Sequence, residues 1–416
     1  MFGYQAIHEL SALGKDFTKN FFNMSDSKLY SYCQGCSEGG RDGWSQIQRF
    51  DDEWDGAVTG APAFRFSQQQ VQHLYSGVVE KTLDYAPPPC ELEKIVNETI
   101  NFCDPLDGKT DGVVARTDLC KLEFNTSSTI GMSYYCAASF GSMMGPGGLS
   151  ASTPAQNGTV TAKGVAVADE IINGLHDSHG RRVYLSYQPA ASFVDAQTVY
   201  NASTNSWPAT ASGIGAEFVT RYLHLLNSSA LSLDNVTYDS LRDWIYEGWQ
   251  MYEDSLQTTW PDLTPFQTAG GKILHYHGES DNSIPTASSV HYYESVRRTM
   301  YPHLSYNASN AALGEWYRLF LIPGAAHCSV DPLQPNGPWP QTNLEVLINW
   351  VEKDVVPTTL NATHLAGDNV GENAQICAWP LRPFWTDNGT TMECRYDQRS
   401  IDTWMFHFDS FKLPVY

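Results

Sequence analysis

Apolar and aromatic residues recur at roughly helical spacing through the first twenty positions. Tyr4, Ile7, Leu10, Leu13, Phe17 and Phe21, with His8 among them, predict an amphipathic helix. Lys28-Leu29-Tyr30-Ser31-Tyr32-Cys33 then reads as a short β-rich run leading into a turn at Gly35–Gly39. Trp44, Ile47 and Phe50 return to helical spacing, so a helix is predicted over Arg41–Phe50, with a further strand at Gly56–Gly60. Strand and helix alternate again late in the chain: strands at Lys272–His277 and Trp316–Ile322, helices at Ser288–Arg298 and Asn343–Lys353. The stretch between lacks this alternation. It carries short amphipathic pieces such as Leu241–Met251 and a Gly/Ser/Met-rich segment at Ser139–Ser152. The pattern predicts an α/β core in two parts, residues 1–64 and 266–416, split by an inserted lid domain over 65–265. A proline-bearing tail clipped by Cys377 and Cys394 belongs to the second part.

Composition narrows the setting. The 416 residues are 42% hydrophobic and 12% aromatic, enough for a large packed core. Formal net charge is −21, which excludes nucleic acid and anionic membrane surfaces as partners, since both need a basic face. No run of 18 apolar residues offers a membrane-spanning helix. Asn-x-Ser/Thr occurs at Asn23, Asn97, Asn125, Asn157, Asn201, Asn227, Asn235, Asn307, Asn361 and Asn388. With nine cysteines, this points to an oxidising compartment and a secreted, glycosylated chain. Yet residues 1–20 have neither the basic start nor the apolar run of an export signal. The expectation is a chain lacking its N-terminus. The odd cysteine count agrees, leaving one thiol without a partner.

The turn carries the chemistry. Gly35-Cys36-Ser37-Glu38-Gly39 is a G-x-S-x-G pentapeptide between a strand and a helix, the setting in which the serine hydroxyl is exposed on a strained elbow. A general base should follow a later strand, and His327 lies just past Trp316–Ile322. The acid should come from the loop after the preceding strand, where Asp281 is the candidate and Glu279 the rival. The order Ser37, Asp281, His327 is that of α/β-hydrolases. Cys36 adjoins the serine and Cys328 the histidine, so a bond between them would hold the pair side by side, the competing reading being an ordinary staple. His275 and His277 alternate on a predicted strand and offer a metal pair or, more simply, packed strand-end residues. His73, His176, His179 and His224 read as surface residues of the lid.

A second constellation is Cys103-Asp104-Pro105-Leu106-Asp107-Gly108-Lys109-Thr110-Asp111-Gly112-Val113. Its three carboxylates repel one another unless a cation neutralises them, and its glycines allow the turns that fold oxygen donors around Ca²⁺. The loop lacks the glutamate of an EF-hand; the simpler reading is a cluster of Asp-Gly turns without an ion. Cys103 and Cys120 flank it and are placed to tie it shut.

Taken together, Gln34 to Gly43, Gln48-Arg49-Phe50, Asp55-Gly56, Gly60-Ala61-Pro62-Ala63, the acidic loop, His275–Asp281, Pro323–Cys328 and the Cys377–Cys394 tail resemble the fungal tannase and feruloyl esterase family over essentially the whole chain. The resemblance implies a secreted α/β-hydrolase with a large lid and a structural Ca²⁺. Its activity would be a serine carboxylesterase cleaving small phenolic esters. It implies a Cys36–Cys328 bridge across the triad, and Ca²⁺ ligands from the side chains of Asp104, Asp107 and Asp111 with the carbonyls of Lys109 and Val113. The Ala61–Phe66 run and long lid lean toward the tannases, with feruloyl esterase as the alternative. Arg181-Arg182 is a possible counterpart of a lid-processing site in tannases. Family members carry strands before the helix that starts here near Tyr4, and these supply one oxyanion-hole amide. The other would be the backbone N–H of Glu38. The resemblance therefore also implies missing N-terminal strands, an open sheet edge and a weakly active or poorly folded chain. In the extreme it would be a catalytically impaired glycoprotein of the same fold.

Overall fold

The computed structural model describes residues 3–24, 27–139 and 153–416; of the Ser139–Ser152 segment, residues 140–152 lie outside this description. Four parallel strands form the central sheet in the order β1 (Tyr32–Cys36), β2 (Gly56–Gly60), β3 (Lys272–Gly278) and β4 (Tyr317–Ile322). Helix α1 (Gln5–Phe21) precedes the sheet, and α2 (Glu38–Arg49) leaves β1 directly after Ser37. Helix α3 (Thr286–Met300) follows β3, and α4 (Asn343–Lys353) follows β4. This is the α/β-hydrolase arrangement expected, with the second half of the sheet supplied by distant sequence.

Strand alternation assigns each side chain to a face. Ile273, Tyr317, Leu319 and Leu321 pack with Trp44 of α2 and with Val290, Tyr293 and Val296 of α3. Leu274, Tyr276, Phe320 and Ile322 turn the other way, onto Leu347 and Trp350 of α4. His275 and His277 share the α3 face by the same period of two. Both are fully buried there.

Two details depart from the expected elements. The first strand does not begin at Lys28 but runs Tyr32–Cys36, because its parallel partners are Gly56–Gly60; the strand therefore extends into the elbow, pairing Gly35 with Thr59 and Cys36 with Gly60. Helix α1 forms where its spacing predicts, but it buries none of its residues, and Leu10, Leu13, Phe17 and Phe21 are each about 70% exposed.

Between β2 and β3 the regular structure of the described residues is mostly short helices, joined by long loops. Val71, Leu74, Tyr75, Val78, Ile95, Ile171, Val219, Leu241 and Ile245 form a hydrophobic core of their own, apart from the two on the sheet. Four disulfides are present: Cys36–Cys328, Cys90–Cys136, Cys103–Cys120 and Cys377–Cys394. Cys33 is the unpaired thiol, and burial pushes it up to about 12.

Candidate active site

Ser37 sits between β1 and α2 with φ 66° and ψ −124°, a conformation that costs a non-glycine residue energy and that persists only when its surroundings hold it. The turn closes because two glycines allow backbone to meet backbone. A Cβ on Gly35 would lie 2.3 Å from the Gly39 carbonyl oxygen, and one on Gly40 would lie 2.5 Å from that of Gly60, whereas a Cβ on Gly39 meets nothing. The Ser37 N–H donates to the Gly60 carbonyl at 2.9 Å, fixing the elbow to β2.

His327 brings the three candidates together. Its Nε2 lies 2.8 Å from Ser37 Oγ, and its Nδ1 lies 2.8 Å from Asp281 Oδ2. Asp281 has no exposed surface, yet four donors surround it. His327 faces Oδ2 at 2.8 Å and His277 at 3.0 Å, and the N–H groups of Ser283 and Ile284 donate to Oδ1, both at 2.8 Å. Burial opposes the carboxylate charge, but His327 and His277 outweigh it and hold Asp281 well below the usual range. Burial likewise opposes a charge on His327; the neighbouring carboxylate wins and leaves the imidazole above its ordinary 6.5. A hydroxyl, an imidazole and a carboxylate in this series can move a proton from oxygen to nitrogen and stabilise the resulting imidazolium. Cys36 and Cys328 are joined beside them, with Cα atoms 6.1 Å apart.

Glu279, the rival acid, points elsewhere. Its carboxylate takes Arg382 Nη2 at 2.6 and 2.7 Å and the Thr117 hydroxyl at 2.6 Å. Arg382 also reaches Asp118, which pairs with Arg116 at 2.7 Å, so a buried charge network fastens the residue two before Asp281. Nothing in the spacing of Arg382 signals this. On the other side, Gln334 donates to Ser280 Oγ at 2.6 Å and accepts from the Val114 N–H at 2.8 Å. His275 and His277 hold no metal arrangement. Their four ring nitrogens face Tyr317, Ser289, Asp281 and the Ile284 carbonyl. Glu38 opens α2, so its N–H has no carbonyl one helical turn back and stands beside Ser37 at the positive end of the helix.

One lid histidine was misread as a surface residue. His73 is buried, with Nδ1 2.8 Å from Asp195, which also accepts from Ser212 and Tyr187. It closes the helix Phe66–Gln72, and Gln69, one turn earlier, reaches its other nitrogen at 2.6 Å. His176 is half-buried, while His179 and His224 are exposed.

The acidic loop is built from backbone upward. Asp104 accepts from the N–H groups of Asp111 at 3.0 Å and Gly112 at 2.9 Å, and Asp107 accepts from Lys109 at 2.9 Å. Lys109 Nζ pairs with Asp111 at 2.9 Å. Among the described residues Asp107 has no such partner, and burial, with Asp111 and Asp104 nearby, raises its carboxyl to about 7. Among the described residues the Lys109 and Val113 carbonyls accept no hydrogen bond. Among the described residues no group of three acidic, histidine or cysteine side chains is arranged to hold a metal ion, and Asp104 and Asp111 are already engaged by backbone N–H groups and by Lys109.

A family model described as tannase and feruloyl esterase matches residues 1–399. A tannase of Aspergillus oryzae is 54% identical over 100% of this chain and 73% of its own length. A probable feruloyl esterase B-1 from the same species is 30% identical over 94% of this chain and 67% of its own. Among solved structures, the tannin acyl hydrolase from Aspergillus niger superposes with TM-score 0.96 at 62% identity, covering 100% of this chain and 73% of that one. Feruloyl esterase B from Aspergillus oryzae gives TM-score 0.71 at 28% identity, covering 95% and 74%. A serine, histidine and carboxylate on a four-stranded parallel sheet, in a chain so related, make this protein a carboxylic ester hydrolase of the tannase and feruloyl esterase family.

Proposed function

We propose that the chain hydrolyses galloyl and related phenolic esters through an acyl-enzyme, with Ser37 as nucleophile, His327 as general base and Asp281 as the residue orienting His327. The hydrogen-bonded series Ser37–His327–Asp281 carries this reading. His327 Nε2 takes the serine proton as Oγ attacks the ester carbonyl, then returns it to the departing alcohol; water repeats the cycle to release the acid. The Glu38 N–H, at the positive end of α2, is the donor proposed for the oxyanion. Identity to tannases well above that to feruloyl esterases favours a galloyl acyl group. A Ca²⁺ held by Asp104, Asp107 and Asp111 with the Lys109 and Val113 carbonyls would cross-link the loop and take no part in the chemistry. The disulfides and exposed sequons such as Asn125, Asn227 and Asn388 support secretion and glycosylation.

Turnover of methyl gallate against methyl ferulate tests the substrate. Preference for gallate is expected, preference for ferulate moves the chain to the feruloyl esterases, and no turnover of either sinks both. Fluorophosphonate labelling, lost in Ser37→Ala, tests the nucleophile.

A further inference from the structure

Asp281 Oδ2 is shared by two histidines, and the triad accounts for only one of them. The other, His277, lies on β3 with Nε2 3.0 Å from Oδ2 and 3.1 Å from the Ile284 carbonyl oxygen. Both of those groups only accept, so Nε2 carries a hydrogen. In the neutral ring Nδ1 must then accept, and the Ser289 hydroxyl stands 2.7 Å away to donate. Ser289 Oγ in turn lies 2.8 Å from His275 Nε2, and His275 Nδ1 lies 2.9 Å from the Tyr317 hydroxyl. Burial holds His275 well below its ordinary value, so it donates through one nitrogen only. One polarity satisfies every atom: Tyr317 donates to His275, His275 to Ser289, Ser289 to His277, and His277 to Asp281.

We propose that His277 is a positioning residue for Asp281, a donor whose ring is oriented by Ser289, His275 and Tyr317 and which holds the carboxylate in the geometry His327 requires. The members sit on β3, α3 and β4, so the series anchors the Asp281 loop to the rigid core. Each of its four side chains is fully buried, and water has no access to substitute for a lost link. Besides His327, the groups that face Asp281 are the Ser283 and Ile284 amides of its own loop, with Tyr187 of the lid near enough to feel its charge. The inference rests on the triad reading above.

The test measures kcat and KM for p-nitrophenyl acetate across pH in the full chain and in His277→Leu, His277→Gln, Ser289→Ala and Ser37→Ala. A charge-assisted hydrogen bond is lost in His277→Leu, so kcat should fall roughly 10- to 100-fold with KM held within about twofold. With one donor fewer, Asp281 attracts the His327 imidazolium more strongly, and the acid limb of kcat/KM should move to higher pH. Glutamine can place an N–H where imidazole Nε2 was, so His277→Gln should recover most of kcat. Ser289→Ala should give a smaller loss in the same direction. Equal impairment in the leucine and glutamine variants, or an unmoved acid limb, overturns the proposal. If His277→Leu does not fold, unchanged kcat and acid limb in Ser289→Ala overturn it instead. Turnover retained in Ser37→Ala would show that the triad reading itself had failed.

Discussion

Cys36 and Cys328 are bonded across 292 residues, and each is the chain neighbour of one partner in the Ser37–His327 hydrogen bond. Ser37 and Cys328 also hold positive φ, 66° and 56°, which relaxes readily unless something opposes it. A bond placed there clamps two strained turns against each other. Cys36→Ala/Cys328→Ala should lose about 4 kcal/mol or less of stability. The molecules that stay folded should lose more than about tenfold in kcat as Oγ and Nε2 drift apart. Circular dichroism gives the folded fraction and initial rates give kcat. Unchanged kcat per folded molecule would reduce the bond to a staple.

Much of this site was legible because its signals are local. The elbow needs Gly35 and Gly40 for close backbone approach, and Asp281 and His327 follow strands whose apolar runs are plain. Arg382 was not legible, because its partners Glu279 and Asp118 are 103 and 264 residues away. His73 was missed for the same reason: only the fold brings Asp195 to it. His275 and His277 were seen as a pair on one face, but the hydroxyls that occupy their nitrogens come from another strand and a helix.

Arg382 bridges two buried carboxylates, Glu279 and Asp118, with only 2% of its side chain exposed. Its removal takes from buried Glu279 its ion-pair partner and leaves Asp118 with Arg116 alone. Arg382→Met should therefore cost about 3–5 kcal/mol and show as a large fall in urea midpoint. Glu279→Gln, which keeps acceptor and shape, should cost less. Equal midpoints for Arg382→Met and the parent would show that the network holds nothing.

Acid should undo the same network. Burial opposes the Asp118 charge, but Arg382 and Arg116 outweigh it and lower its carboxyl from 3.8 to about 2. A group with a lowered folded-state value contributes stability above its unfolded value and loses that contribution as pH falls through the folded one. Asp118 should thus contribute about 2 kcal/mol near neutrality, declining from about pH 4 to about pH 2. Asp281, lowered in the same direction, adds to the same window. Urea titrations at stepped pH measure the slope, and Asp118→Asn should flatten it. A variant as steep as the parent would assign the acid loss elsewhere.

The acidic loop connects to the triad through few atoms, and this sets what metal removal should do. Gly108 turns the loop at φ 95°, where a Cβ would strike the Trp385 carbonyl oxygen at 2.3 Å. The loop's exit reaches Gln334 through the Val114 N–H, and Gln334 reaches Ser280, the residue before Asp281. If a Ca²⁺ offsets the Asp107 charge, a chelator should lower Tm by about 5 °C, the scale of a ligand held far above its Kd. Asp107→Ala should abolish the metal found by elemental analysis and lower Tm in the same way. Loosening the loop also releases Gln334, so kcat should fall while KM holds, and Gln334→Ala in the metal-loaded protein should reproduce that fall without the loss of metal. A Tm indifferent to chelator, with no calcium accompanying the purified protein, would leave Lys109 as the loop's counter-charge.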